Sequence, residues 1–204
     1  MKHRTLAVVL AVLTVSGCGL IGDDAGSGPK GKAQNVNMQQ AGDLAEKILD
    51  DTFTAIVPKV EAQRGPSGDP LCTDFKNDST GTGQVIRRRH VMTVISAERR
   101  GSFMGVVERH WKKKGYEITT VRPSKERPAI FARTQEGFEV TVKIGAEGQA
   151  FFSASSPCVT ESEVTEPPRK PLDPNSPEAK GLPYIKSPFW SAETPVPSPS
   201  TNGG

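Results

Sequence analysis

Outside the extreme N-terminus only His90 and His110 offer imidazoles. An imidazole is the usual general base beside a serine or cysteine nucleophile, with a carboxylate to orient it. No G-x-S-x-G stretch presents a serine for that role. The expectation is that both histidines are ordinary surface or half-buried side chains. Asp23-Asp24 and Asp50-Asp51 are adjacent acids. Neighbours on a helix point about 100° apart, so Asp50 and Asp51 do not form a shared-proton pair. Gly81-Thr82-Gly83 lacks the Lys-Ser/Thr of a phosphate loop. With no cofactor motif and no metal-ligand cluster, the sequence predicts no cofactor, no metal and no catalytic residue.

The second chemical signature is charge. Between Arg87 and Arg100, five arginines fall within fourteen residues, a density associated with nucleic-acid binding. The N-terminus argues against that reading. Lys2, His3 and Arg4 precede an apolar run from Leu6 to Val15. A membrane-spanning helix takes about 20 such residues, so the run fits the h-region of a secretory signal. It ends in Val15-Ser16-Gly17-Cys18, which resembles the lipobox of bacterial lipoproteins. Small residues at 16 and 17 suit a narrow peptidase site, and the cysteine supplies the sulfur for a diacylglycerol. The resemblance implies cleavage before Cys18 and a mature chain lipid-anchored on the outer face of the cytoplasmic membrane. No nucleic-acid partner is expected there.

Composition agrees. The chain carries 26 basic and 23 acidic residues. Loss of Lys2 and Arg4 with the signal leaves 24 against 23, near neutrality, which is no polyanion-binding balance. Hydrophobic content is 35%, enough for one modest domain. Once Cys18 is lipidated, Cys72 and Cys158 remain as an even pair in an oxidising compartment, and a disulfide between them is the simplest reading. Free thiols or a metal site are the alternatives; two cysteines with no nearby histidine make a poor zinc site.

Four segments follow from composition and periodicity: a signal at 1–17, a flexible Gly/Asp/Ser/Lys-rich tether at 18–36, a domain at 37–160 and a tail at 161–204. Within the domain, helical spacing of apolar residues covers 38–57, with Asn37 as cap and Pro58 as stop. Residues 61–83 read as a long loop. Gln84–Ile95 is a strand candidate. Ser96 can cap a helix from Ala97 to Lys114, with Gly115 at its end. Strands follow at 116–121, 129–134, 138–144 and 149–155, the last three joined by glycine turns. Phe138, Val140, Val142 and Ile144 alternate with Glu139, Thr141 and Lys143, so one sheet face is buried and one wet, as in antiparallel sheets. The expected fold is α+β: a two-layer sandwich with a mainly antiparallel sheet of about five strands and two helices on one face. The tail holds ten of the seventeen prolines and reads as disordered.

On the arginine strand, Val85, Arg87, Arg89 and Val91 share one face, and Ile86, Arg88, His90 and Met92 the other. Neither face is wholly polar, which suggests a strand that extends past the core at its N-terminal half, or alternatively a strand at the sheet edge, its charges solvated or paired with acids such as Glu139. The functional alternative is a patch of Arg87, Arg89, Arg99, Arg100, Lys112 and Lys113 facing anionic headgroups or wall polymer. Trp111 and Tyr116 read as closure of the core around a helix end. In the tail, Tyr184, Phe189 and Trp190 form an aromatic island that either docks on its own domain or acts as a short motif for an envelope protein.

The order of lipobox, tether, amphipathic helix, loop cysteine and arginine strand, then Arg109-His110-Trp111-Lys112-Lys113-Lys114-Gly115-Tyr116, Gly137-Phe138 and Ser156-Pro157-Cys158, resembles the small secreted lipoproteins of actinobacteria, Streptomyces in particular. The resemblance covers residues 1–160 and implies a location and a fold, without an activity. The expectation is therefore a non-enzymatic binding or scaffold module at the cell envelope. A carrier or sensor of a small apolar ligand is the first alternative; it requires an enclosed apolar pocket. A wall-directed hydrolase is the second; it requires His90 or His110 beside a serine or carboxylate in a cleft.

Overall fold

The structure, a computed structural model, describes residues 36–169 and 171–194. The expected signal segment, Cys18 and the expected tether up to residue 35 lie outside them. Asn37 opens helix α1 (Met38–Thr54) through a reciprocal capping box with Gln40. Its apolar stripe buries Met38, Ala41, Ala45 and Leu49. Helix α2 (Ala97–Lys113) buries Phe103, Met104, Val107 and Trp111. Gly115 follows it at φ 78°, a left-handed position that glycine occupies without penalty.

The strands are β1 (Ala62–Arg64), β2 (Leu71–Thr73), β3 (Ser79–Gly83), β4 (Ile86–Val91), β5 (Glu117–Arg122), β6 (Ala129–Arg133), β7 (Glu139–Ile144), β8 (Ala150–Ser155) and β9 (Val159–Thr160). Six form one antiparallel sheet, in the order β1-β4-β8-β7-β6-β5. The others form a small sheet ordered β2-β3-β9. The α+β fold expected from the sequence is the fold observed, with β1, β2 and β3 added where a loop was expected. Those three strands are mostly exposed, so no apolar alternation marked them. The glycine turns occur as expected, with Gly137 at φ 91° and Gly148 at φ 79°.

Both helices cover one face of the large sheet, and the space between is filled by Trp111, Phe103, Phe152, Phe138, Leu49 and Ile130. Trp111 donates its indole N–H to Thr52 across the two helices at 3.0 Å. Cys72 and Cys158 are disulfide-bonded, with Cα atoms 6.3 Å apart. The bond ties β2 to the residue before β9, across the small sheet.

The tail departs from expectation. Described residues 161–194 form a strap, not a disordered segment. The strap leaves β9 along α1, where Thr165 N–H bonds Gln39 at 2.7 Å. It then crosses the outer side of β1, where Gln63 donates to the Glu178 carbonyl at 2.9 Å. At Ile185 it pairs with Thr93 as a parallel bridge. It ends with Trp190 inserted into the core, 1% exposed, its indole N–H on the Pro58 carbonyl at 2.6 Å and its ring edge-on to Phe103. Proline abundance does not prevent this. Fixed φ angles lower the entropy lost on docking, and the buried indole supplies most of the apolar area, with Phe189 and Val164 packed against the core beside it.

Candidate functional site

The arginine strand is internal. β4 lies between β1 and β8, and its alternation places Arg87 and Arg89 beneath α1, 2% and 7% exposed. Two guanidiniums under a helix require anions, because an unpaired buried charge costs several kcal/mol. α1 provides them at Glu46 and Asp50, one turn apart. Arg89 bonds Glu46 and lies 3.0 Å from Asp50; Arg87 Nε is 3.7 Å from Glu46. Arg64, beside Arg89 on β1, adds a third contact to Glu46 at 3.4 Å. Burial pushes the Glu46 carboxyl up, but the hydrogen bonds and charges of Arg89 and Arg64 outweigh it and hold the group below its ordinary value. Burial opposes charge at Arg89 as well, and its two acids raise its pKa nonetheless.

Arg99 and Arg100 are buried at the start of α2, 4% and 8% exposed. Arg100 clamps two loops through the Glu126 and Ala146 carbonyls, at 2.6 and 2.8 Å. Arg99 stacks on Phe189 of the strap, 4.8 Å from the ring centre. Lys112 and Lys113 are exposed at the far end of α2, with Lys112 on Glu108 one turn back. The six basic residues expected to share a surface therefore fall into three groups, and four of them are inside. Glu139, the acid expected to pair with the arginine strand, instead faces Arg133 at 3.6 Å. Ser96 does not cap α2 with its side chain; its hydroxyl donates to the Ala192 carbonyl of the strap at 2.5 Å.

The histidines separate. His110 Nε2 lies 2.9 Å from Asp51 Oδ2, and Lys114 reaches the other oxygen at 3.0 Å. Partial burial raises the Asp51 pKa, but the hydrogen bonds from Lys114 and His110 prevail and lower it. Tyr116 beside them is pushed up to about 12, by burial first and then by the charges of Asp51 and Glu136. His90 lies on the uncovered sheet face, edge-on to Phe151. Burial, then the Arg88 charge, lowers its pKa. Among the described residues no hydroxyl or thiol hydrogen-bonds either histidine. The His110–Asp51 pair supplies the histidine beside a carboxylate that the hydrolase alternative requires; no serine joins it among the described residues.

His90 instead lines a cleft of about 1040 Å³ between the β1–β4 corner of the sheet and the strap. Gln63, Arg64 and Phe151 line its sheet side, and Lys180 and Tyr184 its strap side. The cleft is open and carries both charge signs, with Glu61 and Asp50 in its lining beside the basic groups. Its volume matches the upper end of the roughly 300–1,000 Å³ usual for small-molecule sites. Sequence reasoning did not find it, because nearly half its lining belongs to the tail. The island residues part company here: Tyr184 is 46% exposed at the cleft, while Phe189 and Trp190 pack inward.

No family model matches the chain, and no curated protein does. A crystal structure of a DUF4853 family protein from Actinomyces odontolyticus ATCC 17982 is similar over 69% of this chain and 75% of that chain, with 15% identity and a TM-score of 0.41. Its source is an actinobacterium. No helix among the described residues is long and apolar enough to cross a membrane.

Proposed function

We propose that this chain is a non-catalytic binding module of the bacterial cell envelope. Lipid on Cys18 would hold it to the outer face of the cytoplasmic membrane, and it would take a polar segment of wall polymer in the cleft beneath the strap. The cleft is the observation that carries this reading. It sets an amide (Gln63), an imidazole (His90), cations (Arg64, Lys180) and two aromatic rings (Phe151, Tyr184) around one open volume. Such a lining suits a hydroxyl-rich, partly charged chain better than an apolar molecule. A carrier of an apolar ligand gains no support, since the interior it would need is packed with aromatic side chains. The Cys72–Cys158 bond favours an oxidising compartment, and the Ser16-Gly17-Cys18 sequence favours the lipid anchor.

The test is co-sedimentation of the full chain with purified wall material, beside Gln63→Ala/Lys180→Ala and Tyr184→Ala variants. Binding by the wild type that drops about tenfold in either variant supports the assignment, the loss of one to two good contacts. Binding that survives both changes, or no binding by the wild type, removes the cleft from consideration. Anchoring is tested separately: Cys18→Ala should abolish palmitate labelling and membrane retention.

A further inference from the structure

The two edges of the large sheet are treated differently. The outer side of β1 is crossed by the strap, through Gln63 and Arg64, whose side chains meet the Glu178 and Pro168 carbonyls at 2.9 and 3.5 Å. Among the described residues β5 has no neighbour beyond β6. This open edge reads Glu117-Ile118-Thr119-Thr120-Val121-Arg122. It holds no proline, four of its six residues are β-branched, and five of the six are exposed. Val121 alone leaves 48% of its surface in water. An exposed edge of this composition is a template for strand addition, and natural edges are normally blunted by proline, by charge within the strand or by a cover.

The charges on β5 select the partner. They stand at its ends with opposite signs. If a second β5 runs antiparallel about a two-fold axis between Thr119 and Thr120, Glu117 faces Arg122 of the copy, Ile118 faces Val121, and Thr119 faces Thr120. The faces also match. Glu117 and Arg122 sit in register with Arg133 and Ala129 of β6, which alternate with the core-facing Ala132 and Ile130. Ile118 and Val121 sit opposite Ala132 and Ile130, on the helix side. The irregularity between Ile118 and Thr120 produces this agreement, because it restores both ends to one face across an even number of residues. A parallel copy would set Glu117 against Glu117 and Arg122 against Arg122, which like-charge repulsion disfavours.

We infer that the β5 edge is a homodimer interface: two copies of this chain pair β5 to β5 antiparallel, and their six-stranded sheets join into one. The interface is isologous, as two-fold contacts must be. A single six-residue strand pair is small, and interfaces at the low end of the size range are weak and reversible. This association does not depend on what the cleft binds.

The test is sedimentation equilibrium of the full chain in density-matched detergent, with Glu117→Arg and Arg122→Glu as variants. The wild type should show a concentration-dependent monomer–dimer equilibrium. Each variant alone confronts like charges twice, so its dimer dissociation constant should rise about tenfold or more. An equimolar mixture of the two variants restores both opposite-charge contacts, and should form a heterodimer with an affinity near that of the wild type. A misfolded variant could not be rescued by mixing, so rescue reports the interface. A wild type that stays monomeric up to about 1 mM, single variants that dimerise like the wild type, or a mixture that does not associate would each overturn the assignment.

Discussion

Replacing Trp190 by alanine isolates the energetics of the strap. A buried indole removes about 200 Å² from water, which at about 25 cal/mol per Å² contributes about 5 kcal/mol. Its hydrogen bond to Pro58 adds about 1 kcal/mol net. Against this, ordering residues 182–192 costs roughly 1 kcal/mol each, about 11 kcal/mol in all, and less at Pro183 and Pro188. Trp190 therefore offsets about half of the ordering cost, and the pairing at Ile185 and the Phe189–Arg99 stack supply much of the rest. Without the indole the segment should let go. A core Trp→Ala change costs about 3–5 kcal/mol, or roughly 6–20 °C in Tm for a chain of this size. Hydrogen exchange distinguishes release from simple weakening. The amides of Val94 and Ser96 are held by the Ile185 and Trp190 carbonyls, and those of Tyr184 and Ile185 by Met92. All four should lose protection in Trp190→Ala while the amides of β7 and β8 keep theirs. If Val94 and Ser96 stay protected in the variant, the strap is held by something else and the reasoning fails.

Other changes test other parts of the architecture. Glu46→Ala leaves Arg87 without its acid and Arg89 with only the exposed Asp50. It should cost about 3–5 kcal/mol in urea denaturation, against under 1 kcal/mol for Asp50→Ala. Opening the Cys72–Cys158 bond, which closes a separation of 86 residues, should cost about 4–5 kcal/mol in the chain-entropy limit; exchange should appear first in β2 and β3. Acid should destabilise. His90, Glu46 and Asp51 all have lowered pKa values when folded, so at pH below their ordinary values the unfolded chain binds more protons. The urea midpoint should hold steady from about pH 7 to about pH 9, below the ordinary range of Tyr116. It should begin to fall as pH drops below 6.5 through His90, and fall further below 4.5 and 3.8 as Glu46 and Asp51 take up protons. A His90→Phe variant should lose only the first part of that decline; a midpoint that rises between pH 7 and pH 4 would contradict the assignment.

The two helices and the strands β6 to β8 were legible because each buries one face against a core, which writes a period into the residues; β5, exposed at five of its six positions, was legible only as a β-branched run between Gly115 and Pro123. Phe138, Val140, Val142 and Ile144 are all buried as their alternation required. β1, β2 and β3 carry no such period because they bury little. The arginine strand was read with the right faces and the wrong position. Its alternation holds, but arginine in a strand does not by itself mark solvent; what decides the matter is a partner elsewhere in the chain. Glu46 and Asp50, four residues apart along the margin of the α1 stripe, are that partner; acids beside an apolar stripe were the signal available. The cleft was not legible at all, since it exists only where the strap returns to the sheet.

That return couples the cleft to the plug. The strap is fixed at one end by the bonds of Ser162 and Thr165 to Gln39 and at the other by Ile185 and Trp190. Between these ends, side-chain bonds to the sheet come from Gln63 and Arg64. One wall of the cleft is thus a bridge hung between two anchors. A ligand that touches both walls binds only the docked form, so its affinity falls in proportion to the undocked fraction. By linkage, the same ligand must favour Trp190 insertion. If wall polymer occupies this cleft, Trp190→Ala should weaken its binding although the indole faces the core and touches no ligand. Saturating polymer should in turn slow exchange at Val94 and Ser96 in the wild type. Weakened binding without that reciprocal protection would place the ligand on the sheet alone and remove the strap from its recognition.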